Sequence, residues 1–157
     1  MKDKFNLEGT KIKEFSLPNS RSETRDILEF EGNKNVVIVL FRNKSWPYAK
    51  AHSKKLGKDF EKFNELDAVL YAILPDNLEN AQKFESEFAK TYPIYYDDKK
   101  KVNKMLKQEV KPLKLGRMPA LLIIDKQGII KYAYYSDSMD DIPENEEIFN
   151  IVKKLNK

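Results

Sequence analysis

Six consecutive apolar residues, Val36-Val37-Ile38-Val39-Leu40-Phe41, constrain this chain more than any other feature. The run does not alternate with polar residues and is rich in β-branched side chains. That pattern belongs to a central strand covered on both faces, whereas a strand wetted on one side alternates. Such a strand needs a layer above and a layer below it. A length of 157 residues supplies one core of that kind, so residues 1–157 are expected to form a single domain.

The segments that follow furnish the layers. Pro47 suits the first position of a helix, where its missing N–H costs nothing. Tyr48, His52, Leu56, Phe60 and Phe63 then recur at helical spacing and predict one helix of about five turns. Ala68–Leu74 reads as a second buried strand, and Asp76-x-x-Glu79 as a capping box before a helix holding Phe84 and Phe88. Ile94-Tyr95-Tyr96 is a short strand, and a basic helix is expected from about Lys99 to Lys107. Ala120–Asp125, the turn Lys126-Gln127-Gly128 and Ile129–Tyr135 form a hairpin, closed by a helix over about Glu144–Leu155. Residues 11–17 alternate polar and apolar, as a half-buried strand does. Strand–helix–strand–helix followed by a hairpin and a helix predicts an α/β fold: a mixed central β-sheet flanked by helices on both faces.

Composition removes much chemistry. The chain has no cysteine and one histidine, so it offers no disulfide, thiolate metal site or thiol nucleophile, and no multi-histidine centre. Its five glycines are too scattered for a phosphate-binding loop or dinucleotide finger. No metal and no cofactor is expected. The net charge of +4 is a mild excess. The amino terminus lacks the apolar segment of a secretory signal, and the longest apolar run is far short of the roughly 20 residues that span a bilayer. The expectation is a cytoplasmic protein with no membrane contact.

Two segments resemble one known family. The strand Val36–Phe41 passing through Arg42-Asn43-Lys44-Ser45 into Trp46-Pro47-Tyr48-Ala49 resembles a buried strand that runs through a short loop into a Cys-Pro-x-Cys helix start. Gly116-Arg117-Met118-Pro119-Ala120, with the strand after it, is similar to the segment whose cis proline faces the active cysteine. Ala72–Ala81 matches the strand-to-helix passage between them. The resemblance is to peroxiredoxins of the alkyl hydroperoxide reductase/thiol-specific antioxidant family. It covers about residues 11 to 155 and implies a thioredoxin-like fold. It also implies a cleft built from Asn43, Ser45, Trp46, Pro47, Arg117, Met118 and Pro119, with a cis bond before Pro119. On this pattern the peroxidatic cysteine position holds Trp46 and the second cysteine position holds Ala49. In the family a helix amino terminus and nearby donors hold that cysteine as thiolate. Neither residue here is a thiol, so the resemblance implies a member without catalytic cysteines, whose role is binding or assembly as a homodimer or with a protein partner. The alternative is an antioxidant oxidoreductase that borrows a partner's thiol or a cofactor.

Other features have plainer readings. Trp46 is expected to plug the vacated site, and His52 to pack on its helix stripe; Ser45 and His52 are out of register for easy contact. The basic stretch Lys99 to Arg117 reads as a solvated face without interleaved aromatics, which disfavours nucleic acid as a partner. Asp97 and Asp98 read as turn residues before the basic helix, in preference to a weak cation site.

Overall fold

The structure, a computed structural model, describes residues 3–41, 47–106, 110–111, 116–117, 119–137 and 141–156, with backbone alone at 47, 48, 110, 111, 116 and 117. Strands β1 (Ser16–Pro18) and β2 (Thr24–Asp26) form a small antiparallel pair. The main sheet comprises β3 (Asn35–Leu40), β4 (Ala68–Leu74), β5 (Ile94–Tyr96), β8 (Ala120–Ile124) and β9 (Ile130–Tyr135) in the order β5-β4-β3-β8-β9. Helices α1 (Pro47–Lys58) and α2 (Phe60–Glu65) connect β3 to β4, and α3 (Leu78–Phe84) with a π-helical turn (Glu85–Ala89) connects β4 to β5. Helix α4 (Lys101–Met105), the short backbone ladder of β6 (Val110–Lys111) with β7 (Gly116–Arg117), and α5 (Asn145–Leu155) complete the chain.

The parallel neighbours are β3–β4 and β4–β5, joined through helices; β3–β8 and β8–β9 are antiparallel. The sheet is therefore mixed, as the order of segments predicts. Period-two geometry explains why the β3 run is uniformly apolar: its alternate residues serve two cores. Val37, Val39 and Phe41 meet Leu56, Phe63, Phe84, Ile148 and Val152 on one face. Val36, Ile38 and Leu40 meet Ile12, Phe15, Leu17 and Val102 on the other. Each such fully buried aliphatic or aromatic side chain contributes about 1.5–3 kcal/mol relative to exposure.

Four local expectations need correction. The five-turn helix is divided at Asp59, because Asn145 Nδ2 donates to the Lys55 carbonyl at 3.0 Å and to Asp59 Oδ2 at 2.8 Å. A side chain from α5 thus occupies a carbonyl of the helical ladder, a recognised cause of a break. Helix α3 is capped by Asn77, whose side chain accepts from Asn80 N at 2.9 Å, while Asp76 accepts from Asn77 N and Asn80 Nδ2. The segment 11–17 pairs only at Lys11 and from Ser16 onward; Ile12, Phe15 and Leu17 are all buried, but two exposed residues, Lys13 and Glu14, separate the first two, so the alternation is not continuous. The basic helix is shorter than expected: Lys100 adopts a left-handed conformation and α4 starts at Lys101. The hairpin turn follows its sequence, with Asp125 Oδ1 accepting from Gln127 N and Ile129 N and Gly128 at φ +79°.

Candidate functional site

The described residues nearest in sequence to the expected cleft are those at the end of β3, the start of α1 and the start of β8. Phe41 N donates to Ile73 O at 3.0 Å, extending the ladder one residue past β3. Leu40 pairs with Ala120, the first residue of β8. Because β3 and β8 are antiparallel, Phe41 and Pro119 leave the sheet at the same end on neighbouring strands. Pro119 is buried, and its carbonyl accepts from Ser136 N at 3.1 Å. Arg117 sits in the β6–β7 ladder opposite Val110. Pro47 opens α1, and Ala49, the second cysteine position of the family pattern, is 7% exposed and packs in the core that holds Phe41. Asn43, Ser45, Trp46 and Met118 lie outside the described residues, and with them the Met118–Pro119 peptide bond and the Ser45–His52 pair.

Behind the start of α1 the groups that could serve chemistry are buried and committed. His52 is 4% exposed, with its ring edge toward Phe41 at a centroid distance of 5.8 Å. Its Nε2 has no hydrogen-bond partner among the described residues. Burial lowers its pKa to about 4; nearby Lys55 acts in the same direction and Glu144 opposes. The imidazole is neutral at pH 7 and too weak a base for proton abstraction there. The neighbouring Ser53 Oγ lies 2.8 Å from the Tyr92 hydroxyl, which donates to Ser53 O at 3.0 Å. Burial pushes the Tyr92 phenol up. This pair fastens α1 to the segment before β5, and neither hydroxyl is available as a nucleophile. No sequence spacing signalled it, since the partners are 39 residues apart.

Asp97 Oδ1 accepts from Lys101 N at 3.1 Å and Oδ2 from Asn103 N at 2.8 Å, so this carboxylate caps α4. Among the described residues no three His, Asp or Glu side chains are grouped to hold a metal. No described helix is long and apolar enough to cross a membrane.

A five-stranded mixed sheet in the order β5-β4-β3-β8-β9, with helices following its central strand and a buried proline just before the neighbouring strand, defines a thioredoxin-like fold of peroxiredoxin architecture. Solved structures agree: the reduced 2-Cys peroxiredoxin of Plasmodium vivax superposes with a TM-score of 0.82 over 96% of this chain and 82% of its own, at 14% identity. The peroxidoxin BcpB of Mycobacterium tuberculosis gives 0.80 over 96% and 98%, at 17% identity. Identities so low speak for the fold alone. The model of the AhpC/TSA family matches residues 9–133, and the chain belongs to that family. Among curated proteins, a putative peroxiredoxin bcp of Helicobacter pylori is 27% identical over 131 residues, covering 78% of this chain and 84% of that protein. The peroxiredoxin Bcp of Bacillus subtilis is 25% identical over 125 residues, covering 76% and 79%. This chain therefore has the family's fold and none of its thiols.

Proposed function

We propose that this chain is a family member that has given up thiol peroxidase chemistry and works by binding. The observation that carries the reading is the pairing of an intact peroxiredoxin-type sheet with a complete absence of cysteine. Peroxide reduction in such a family proceeds through a thiolate, and a serine hydroxyl is neither ionised nor soft enough to replace it at neutral pH. In this reading residues 1–157 act as one cytoplasmic domain. Trp46 and Ala49 stand at the former cysteine positions. Asn43, Ser45, Pro47, Arg117, Met118 and Pro119 line the remodelled cleft, which takes a second copy of the chain or a segment of a protein partner.

The test is peroxide consumption by the purified chain with dithiothreitol or a thioredoxin system as electron donor. The expected rate is that of buffer with donor alone; turnover proportional to protein concentration overturns the reading. Cleft binding is tested by cross-linking from a photoreactive residue at Trp46: recovery of a second copy or of a defined partner peptide supports it, and labelling by solvent alone counts against it.

A further inference from the structure

A second surface lies along α1, beyond the residues of the expected cleft. Helix α1 carries Lys50, Lys54 and Lys58 at four-residue spacing, which puts the three lysines on one side of the helix. Against that side stands the π-helical turn, whose Phe88 ring receives Lys50 Nζ at 5.2 Å and Lys54 Nζ at 5.6 Å from its centroid. Lys54, Lys58, Phe88, Lys90 and Thr91 enclose an open groove of 370 Å³. Lys54, Lys58 and Lys90 are exposed, and Phe88 is half-buried.

The groove is rigidly built. Gly57 approaches the turn so closely that a Cβ there would lie 2.5 Å from the Ala89 carbonyl oxygen. Thr91 Oγ1 donates to Gly57 O at 3.2 Å, stitching the two walls together. None of Lys50, Lys54, Lys58 and Lys90 forms an ion pair among the described residues.

We infer that this groove binds an extended acidic polypeptide segment of a partner protein. Residues four apart on a helix are about 6 Å apart along its axis, so lysines at that spacing can reach sites at a similar interval. Carboxylates on one face of an extended strand recur every two residues, about 7 Å apart. The two arrays match over two to three pairs. The lining side chains include no arginine, so the planar fork that holds a phosphate in bidentate fashion is missing; flexible lysines suit carboxylates spread along a chain. Nucleic acid is disfavoured, because the one aromatic ring already carries two ammonium groups and offers no free stacking platform. The inference concerns a surface separate from the cleft and stands whether or not the cleft binds anything.

The test measures fluorescence anisotropy with the full chain at low salt. The probe is a labelled peptide of about eight residues alternating glutamate and alanine, compared with its glutamine counterpart and with a single-stranded oligonucleotide of equal charge. Saturable binding of the glutamate peptide is expected, weakening steadily as salt shortens the Debye length. The variant Lys54→Gln/Lys58→Gln/Lys90→Gln, shown to be folded by circular dichroism, is expected to bind about tenfold more weakly. The control Lys99→Gln/Lys100→Gln/Lys101→Gln alters the other basic stretch and is expected to retain affinity. Absence of binding, equal binding of the glutamine peptide, tighter binding of the oligonucleotide, or a larger loss in the control variant overturns the inference. Salt dependence of the unaltered chain supplies a reading that does not depend on variant folding.

Discussion

His52 shows what burial does to one residue in this molecule. Its ordinary pKa of 6.5 falls to about 4 chiefly because the protein interior disfavours the imidazolium. Between those two values the unfolded chain binds a proton that the folded chain does not, so folding stability falls as pH drops from 6.5 toward 4. The loss over that window is ~3 kcal/mol from this residue, and none of it appears above pH 6.5. Thermal melts of the chain and of His52→Gln across pH 4 to 7 check it: the variant's melting temperature is expected to fall less on acidification. The helical stripe Tyr48, His52, Leu56 already marks this histidine as a packed side chain. The sequence cannot reveal Phe41 as its neighbour, because that contact depends on how β3 and α1 meet.

At the scale of elements, the junctions between helices decide the architecture around α1. Gly57 is required by contact rather than by conformation: its Cβ would collide with backbone of the π-helical turn, which cannot swing aside like a side chain. Gly57→Ala is expected to cost about 1–3 kcal/mol, as overpacking commonly does, read as a lower urea midpoint with unchanged slope. Asn145→Ala frees the Lys55 carbonyl and the Asp59 carboxylate from their shared donor; a loss of about 1–2 kcal/mol is expected, with faster amide exchange at the α1–α2 junction. The strands β3, β4 and β8 were legible because short, continuous apolar runs bounded by turn residues admit few other structures. The break at Asp59 was not, since its cause lies 86 residues away in α5. Asp76 looked like the cap of α3 because acid and glutamate stand three apart, yet Asn77 is one residue better placed to reach Asn80 N. Leu56 and Phe63, on either side of the split between α1 and α2, lie in the same core, so the apolar stripe marks one buried face although the helix is broken.

The whole molecule protects both margins of its sheet. Along β9, Gly9 N donates to Ile130 O at 2.7 Å, Ile130 N to Thr10 O at 2.8 Å, and Ala133 N to the Glu8 carboxylate at 3.1 Å. Along β5, Ser20 N donates to Ile94 O at 2.8 Å, and Ile94 N to Ser20 Oγ at 2.9 Å. Edges covered in this way resist pairing with another chain. Removing residues 1–10 uncovers β9 and is expected to raise the mass seen by light scattering; an unchanged mass contradicts that role for the amino-terminal segment. The family membership was readable from the order of three segments spread along the chain, whereas the surroundings of Trp46 were not. The central claim is that the scaffold persists without its thiol nucleophile. It is tested most directly by measuring peroxide consumption of the unaltered chain beside Trp46→Cys with dithiothreitol. The account predicts a background rate for the first and a rate above background, abolished by thiol alkylation, for the second. A variant as silent as the unaltered chain, or an unaltered chain as active as the variant, contradicts it.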